Sequence, residues 1–185
     1  MYKYLYLAVL LPFLLPAVGR GQSADSQQKA LTAEATRLQA WATDRAVVDA
    51  VKRQNAKAVA LTEIQRLDKE WLAGGADAAA RQVTTGACAD QLRALTAGDA
   101  RYGETLVMDK QGALVCATQR TTDYWQGDEA KWTRTFNGGN GTLFIDRPKL
   151  DASAKVRLAQ ISLPVVENGK TIGVITVGVN IDRLH

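Results

Sequence analysis

The sequence predicts an α+β domain in which a long N-terminal helix covers one face of a five-stranded antiparallel sheet and a loop-helix roof covers the other face. Three patterns lead to this fold class. Residues 23–72 contain neither proline nor glycine, and their apolar side chains recur at helical spacing. Hairpin patterns follow around Gly112 and around Asn168-Gly169. Between them, residues 123–132 combine two tryptophans and a tyrosine with four charges, and we interpret this run as the start of the roof.

Residues 1–22 are predicted to be a signal peptide. The stretch 4–18 is apolar apart from tyrosine hydroxyls, follows Lys3, and precedes small residues, so cleavage is expected between Gly19 and Ala24. This run of about 15 residues is shorter than the roughly 20 that cross a bilayer. We therefore expect a periplasmic or secreted protein, with an N-terminal membrane anchor as the alternative.

Residues 23–75 are predicted to form the long N-terminal helix of the domain. The apolar stripe begins at Leu31 and ends at Trp71, and Gly74-Gly75 stop it. The pattern fits one helix or two helices joined near Asp44. Because fifty residues of helix span about 75 Å, we expect this segment to project, bend or pair with a second copy. A homodimer through the N-terminal helix is therefore a further prediction.

Residues 76–185 are predicted to hold the sheet, after a mixed segment with two short helices. Gly112 supplies the positive φ of the first hairpin, and Asn168-Gly169 supplies the tight turn of the second. Pro164 has no N–H to donate, so it indicates an edge position or a bulge. The predicted strands are residues 105–108, 113–117, 142–145, 156–166 and 171–181.

The roof is predicted to contain a helix of two or three turns. Gly127 or Asp128 is a suitable N-cap, and Asn137 with the glycines after it ends the helix. Trp132 and Phe136 are four residues apart and share a face. We therefore predict a core position for Trp132, with ligand contact as the alternative.

Cys88 and Cys116 are the only cysteines, and they lie 28 positions apart. In an oxidising compartment an even pair predicts a disulfide. Two unpaired buried thiols remain the alternative.

Charge and histidine content argue against several classes of function. The net charge is +4, falls to about +2 without residues 1–22, and is scattered along the chain, so we expect no nucleic-acid partner. The only histidine is His185, which argues against His-based catalytic triads and zinc sites. We predict no cofactor, no metal site and no enzymatic activity.

Three segments resemble the Cache family of extracytoplasmic sensor domains, also described as PAS-like or PDC sensor domains. They are the hairpin 105–117, the aromatic run 123–132, and the two last strands from Gln160 to Gly178. The resemblance covers about residues 25–182. It implies a PAS-like sheet and a small-molecule ligand, such as an amino acid, organic acid or amine, between sheet and roof. It also implies that a bound ligand acts through the last strand on a membrane helix that follows.

The sequence departs from this family pattern at its end. Only four residues follow Ile181, with no second membrane helix and no output module. We therefore expect output through a partner such as a membrane receptor or transporter. The arginine-containing amino-acid motif of two-module members has no match, so the resemblance does not give the ligand class.

The predicted ligand-binding residues lie in and after the aromatic run. Tyr124 and Trp125 are suited to stacking and cation–π contact, and Asp123 stands beside them. Three basic residues are candidates for a ligand carboxylate, although surface positions remain the alternative for each: Lys131, Arg134 and Arg147.

These observations together predict a secreted small-molecule-binding sensor domain without its own output module. The alternative is a periplasmic protein-interaction module that acts through the long helix on a membrane sensor or transporter.

Overall fold

A computed structural model describes residues 24–151 and 156–184, so the predicted signal peptide lies outside the described residues. The helices are α1 (Ala24–Ala42), α2 (Arg45–Ala56), α3 (Leu61–Leu72), α4 (Asp77–Thr84), α5 (Ala87–Thr96) and α6 (Ala130–Phe136). The strands are β1 (Tyr102–Asp109), β2 (Leu114–Ala117), β3 (Phe144–Ile145), β4 (Lys149–Asp151), β5 (Val156–Glu167) and β6 (Lys170–Asn180). Short 3-10 turns follow α6 and β6.

One antiparallel sheet has the strand order β2-β1-β6-β5-β3, which confirms the predicted α+β class. The predicted hairpins are both present, as β1-β2 and β5-β6. The three-residue strand β4 also pairs with β5, and the sequence pattern did not predict it. Pro164 lies on β5 beyond the pairing of Phe144 with Ser162, so its missing N–H removes no bond to β3.

The first hairpin turn requires glycine at Gly112 for two reasons. Its φ is +85°, which L side chains rarely adopt. A side chain there would also collide with Gly127, where the roof crosses the turn. Asp109 closes the turn, since its Oδ1 accepts from the peptide N–H of Gln111 at 2.8 Å and of Ala113 at 3.0 Å.

The segment predicted as one long helix, or two, consists of three helices. The first break is at Asp44, as the two-helix alternative predicts, and the Asp44 carboxylate caps α2 by accepting from Ala46 N–H at 2.8 Å. A second break follows α2, where Ala58 has a φ of +48°. Asn55 holds the end of α2 at the sheet by donating to the Ile172 carbonyl and accepting from Lys110 N–H. The chain then crosses to the opposite face of the sheet.

The sheet consequently has helices on both faces. Helices α1, α2 and α5 pack on one face, which we call the helix face, against β-strand residues such as Ile161 and Val177. Helices α3 and α4 pack on the other face, the roof face, around Leu106 and Val174. Alternation along β6 therefore places buried apolar residues on both sides, as expected for a strand covered on both faces.

The predicted disulfide between Cys88 and Cys116 is present and joins α5 to β2. Both residues are buried in the helix-face core. The bond therefore fixes α5 against an edge strand of the sheet.

The roof, residues 123–136, lies across the roof face and ends in α6. Trp132 and Phe136 stack with ring centroids 4.9 Å apart, which confirms their shared face. The Trp132 indole donates to the Asp109 carbonyl at 3.0 Å, so this side chain pins α6 to the first hairpin. Within residues 24–151 and 156–184, no helix is both long and apolar enough to cross a membrane.

Candidate functional site

The candidate site begins with a row of polar and small residues on the roof face of β5 and β6. Gln160 pairs with Gly178, and Leu158 pairs with Asn180, in the antiparallel register. Their sequence neighbours Ala159 and Val179 are fully buried in the helix-face core. Because side chains alternate along a strand, the same two strands present an apolar face to the helices and a largely polar face to the roof.

This row is the floor of an open cleft of about 800 Å³, in the part of the roof face that α6 does not cover. Tyr102 and Glu104 of β1 form one wall, and the segment that joins β3 to β4 forms the opposite wall. Glu129, the residue before α6, lies at the edge of the roof. The volume is within the range of about 300 to 1,000 Å³ that is usual for small-molecule sites.

The cleft carries charges of both signs. Its acidic side chains are Glu104, Glu129 and Asp146, and its basic side chains are Arg147 and Lys149. Such a lining suits a ligand that has its own polar or charged groups. An apolar ligand would leave these groups without partners.

Two of these charges bind each other at the rim. Lys149 Nζ lies 2.8 Å from Asp146 Oδ2. Burial alone would raise the pKa of Asp146, but hydrogen bonds from Lys149 and from the Arg147 peptide N–H hold that pKa below its ordinary value. The same contact with Asp146 raises the pKa of Lys149. Both groups are therefore ionised at neutral pH.

Arg147 is the predicted site residue that lies in the cleft. Its peptide N–H donates to Asp146 Oδ1 at 2.8 Å, which fixes the backbone of the rim. Among the residues that the structure describes, its guanidinium makes no ion pair. The Arg147 side chain is exposed and is thus free to meet an anionic group of a ligand.

Lys131 and Arg134 stand on α6 near the cleft and are engaged in different ways. Lys131 is buried and pairs with Glu129 at 3.1 Å, so it reaches the cleft through that carboxylate. The Arg134 guanidinium lies over the Phe144 ring, 5.2 Å from its centroid. The structure thus groups Lys131, Arg134 and Arg147 around the junction of α6 with the segment between β3 and β4.

Asp123, Tyr124 and Trp125 lie away from the cleft, in the turn that begins the roof. The peptide N–H groups of Tyr124 and Trp125 donate to Asp68 Oδ1 at 2.8 and 2.9 Å. The Trp125 indole donates to the Gln111 carbonyl at 2.8 Å.

The side chains of this turn also have partners within the fold. The Tyr124 ring is buried and packs on Trp71 with centroids 5.6 Å apart. The Asp123 carboxylate accepts from the Gln126 amide and the Thr122 hydroxyl. The ligand-binding role of Asp123, Tyr124 and Trp125 therefore stays a prediction, in a turn whose Asp123 carboxylate and Trp125 indole are bonded within the protein.

The sequence contains a pattern that indicates some of the cleft residues that were not predicted. Gln160, Gly178 and Asn180 line the cleft. Together with the buried residues Ser162 and Thr176, they recur at every second position of β5 and β6 between apolar residues. This alternation indicates one polar face on both long strands. Glu104 had no such signal, because its position at the cleft depends on the irregular register between Tyr102 and Thr105.

The described residues contain no group of three histidine, cysteine, aspartate or glutamate side chains placed to hold a metal ion. Three acidic residues line the cleft: Glu104, Glu129 and Asp146. What they can do chemically is to accept hydrogen bonds from a ligand or pair with a cationic group.

No family model and no curated protein matches the sequence. Solved structures do match the fold. One is the sensor domain of the V. cholerae histidine kinase DctB, with 13% identity and a TM-score of 0.41 over 85% of this chain and 53% of that one. Another is the ligand-binding domain of the C. jejuni chemoreceptor Tlp3 in complex with 4-methylisoleucine, with 13% identity and a TM-score of 0.42 over 88% and 63%.

A third match is the ligand-binding domain of the P. aeruginosa PAO1 amino acid chemoreceptor PctC in complex with GABA. It has 13% identity and a TM-score of 0.43 over 71% of this chain and 62% of that one. These three structures are sensor or ligand-binding domains. The chain spans about 53% to 63% of the length of these structures. Because the superpositions are partial, the function of the chain has to be argued from the cleft itself.

Proposed function

We propose that this chain is an extracytoplasmic sensor domain that binds a small molecule in the cleft between the sheet and the roof, without transforming it. The observation that carries the proposal is the polar, open end of the roof face. The rest of that face is closed by apolar packing around Leu106 and Val174. One part of this sheet face is covered, and the other part is a charged cleft of about 800 Å³. Such a cleft is suited to binding a small molecule.

The charges of the cleft favour a ligand with a carboxylate, an amine, or both. The Arg147 guanidinium offers a planar set of donors that matches a carboxylate. Glu129 and Asp146 are acceptors for an ammonium group on the same side of the cleft. An amino acid, an organic acid or an amine is therefore the proposed ligand class.

A thermal-shift screen of the mature protein against amino acids, organic acids and amines tests the proposal. A ligand at about 100 times its Kd stabilises the folded state by about 2.7 kcal/mol. For a chain of this size, that corresponds to a rise in Tm of about 5 to 10 °C. A complete screen without any rise in Tm, on a folded and ligand-free sample, would contradict the proposed function.

Matched arginine variants locate the ligand within the fold. Arg147→Gln should remove most of the shift for a carboxylate ligand, whereas Arg53→Gln, at an exposed position of α2, should keep it. Trp125→Phe retains an aromatic ring and tests the proposed role of the aromatic turn. If Trp125→Phe abolishes the shift and Arg147→Gln does not, the ligand binds at the turn and the cleft assignment is wrong.

The proposal also includes export by residues 1–22 and output through a partner protein. The homodimer through the N-terminal helix remains a prediction that light scattering of the mature protein checks directly. No contact among the described residues favours the alternative of a pure interaction module over the binding cleft.

A further inference from the structure

Tyr102 lies between two cavities. Tyr102 is one of the residues that line the cleft, and its ring packs on the helix-face core. Its hydroxyl donates to Glu34 Oε1 on α1 at 2.5 Å. Glu34 in turn lines a smaller cavity of about 250 Å³ between α1 and the C-terminal residues Arg183 and Leu184. One residue therefore connects the wall of the cleft with the attachment of α1.

Glu34 is a carboxylate without solvent exposure, so its position depends on its hydrogen-bond donors. Besides the Tyr102 hydroxyl, it accepts from Arg37 Nη1 at 3.0 Å and from Arg101 Nη1 at 3.2 Å. Arg37 belongs to α1 itself, whereas Arg101 directly precedes β1 and Tyr102 is its first residue. The bonds from Arg101 and Tyr102 thus hold α1 to the start of β1.

Tyr102 contacts α1 at a second point, because its ring packs edge-on against Trp41 with centroids 4.8 Å apart. Glu34 and Trp41 are two helical turns apart, so a shift of the Tyr102 ring displaces a segment of α1 rather than one residue. Burial and the bond to Glu34 raise the pKa of Tyr102 to about 12. The phenol therefore keeps its proton and remains a donor at neutral pH.

The C-terminal turn is tied to the same place. Asn180, which also lines the cleft, donates its peptide N–H to the Arg101 carbonyl at 2.7 Å. Its side chain accepts from Asp182 N–H at 3.0 Å and so caps the last turn. Residues 101 and 102 consequently connect the cleft, α1 and the C-terminal turn.

We propose that Tyr102 couples occupancy of the cleft to the packing of α1, through its hydrogen bond to Glu34. A molecule in the cleft that displaces residue 102 at the start of β1 must either move α1 or break the bond of the Tyr102 hydroxyl to a buried carboxylate. The inference rests on the proposed function in taking the cleft as the occupied site. Its test does not require the natural ligand.

The test places a covalent occupant in the cleft. Both native cysteines are in the disulfide, so Gln160→Cys, on the cleft floor, gives a single reactive thiol. N-ethylmaleimide then labels this thiol. The matched control is Lys170→Cys, an exposed position at the opposite end of β6. Hydrogen–deuterium exchange of α1 is measured for each protein with and without the label.

Labelling of Gln160→Cys should change the exchange rate of α1 amides by about fivefold or more, the lower end of usual coupling between sites. Labelling of Lys170→Cys should leave it unchanged. Adding Tyr102→Phe, which keeps the ring and removes the hydroxyl, should reduce the response at Gln160→Cys to less than about twofold. Glu34→Gln keeps an acceptor oxygen for the hydroxyl, so its response should be intermediate.

Two outcomes would overturn the inference. One is an α1 exchange rate that does not respond to the label at residue 160 in the otherwise unchanged protein. The other is a response in Tyr102→Phe or in Glu34→Gln that equals the response of the protein labelled at residue 160 without that second substitution. A metabolite screen without a hit would contradict the proposed function but would not change the exchange result. An α1 that does not respond to the label would contradict the coupling but would not change the result of the screen. The two failures are therefore distinguishable.

Discussion

Asp68 on α3 provides the sharpest test of how the aromatic turn is held. Its Oδ1 accepts from the peptide N–H of Tyr124 at 2.8 Å and of Trp125 at 2.9 Å. Helix α3 reaches this turn because the chain crosses to the roof face after α2. We therefore expect Asp68→Ala to release the turn from α3 and to leave two peptide N–H groups without their acceptor.

The expected loss in free energy of unfolding depends on the type of hydrogen bond that is removed. A hydrogen bond to an ionised acceptor contributes about 1.5 to 3 kcal/mol, and the lower figure suits a half-buried oxygen that is shared by two donors. Asp68→Ala should then lower the free energy of unfolding by about 3 kcal/mol. Asp68→Asn keeps an acceptor oxygen, and because neutral hydrogen bonds are about half as strong, it should lower that free energy by about 1.5 kcal/mol.

Urea denaturation at constant pH measures both losses, and an unchanged m-value shows that the unfolded reference is the same. Glu70→Ala is the matched control, since it removes one negative charge from the same helix but breaks only an exposed contact with Arg66. It should change the free energy of unfolding by less than about 1 kcal/mol. A loss below about 1 kcal/mol for Asp68→Ala, or equal losses for Ala and Asn, would refute the reasoning.

Two further predictions concern stability. Replacing Cys88 and Cys116 together by alanine removes a link across 28 residues, and urea denaturation should show a loss of about 3.5 kcal/mol, with a loss near zero contradicting the chain-entropy argument. Burial raises the pKa of Asp109 above its unfolded value of about 3.9, although hydrogen bonds from the Gln111 and Ala113 N–H groups act to lower it. The stabilising contribution of Asp109 is therefore complete below that unfolded value and is lost as pH rises through the folded pKa. As pH rises above about 4, the free energy of unfolding of the parent protein should therefore fall relative to that of Asp109→Asn, and identical pH profiles would contradict this.

The strands and hairpins were predictable because their signals are local. Alternating residues define which face of β5 and β6 meets the helices, and Asn168-Gly169 has the positive φ values that a tight hairpin turn needs. The disulfide was predictable from compartment and count alone. Each of these inferences depends on neighbours in the sequence or on composition.

The position of α3 was not predictable in the same way. Helical periodicity identifies the apolar stripe from Ile64 to Trp71, but a stripe does not say which face of a sheet it will cover. The crossing depends on the backbone at Ala58 and on the anchoring of Asn55 to Ile172 and Lys110, both distant in sequence. The partners of Tyr124 and Trp125 on α3 were hidden for the same reason.

The location of the cleft follows from the order of residues along β5 and β6. Near the Asn168-Gly169 turn the roof face is apolar and packed. One step further, Ser162 and Thr176 are fully buried and satisfy each other at 2.8 Å, where α6 packs on both strands. Because the two hydroxyls are bonded to each other, they offer no polar group to a ligand. This pair is the end of the packed region. The next pair, Gln160 and Gly178, has a long polar side chain opposite no side chain at all, and there the face opens. The site therefore lies where the pairing of polar side chains across β5 and β6 ends. Gly178 is two residues before Asn180, whose peptide N–H donates to the Arg101 carbonyl, and Arg101 is followed by Tyr102, which contacts α1.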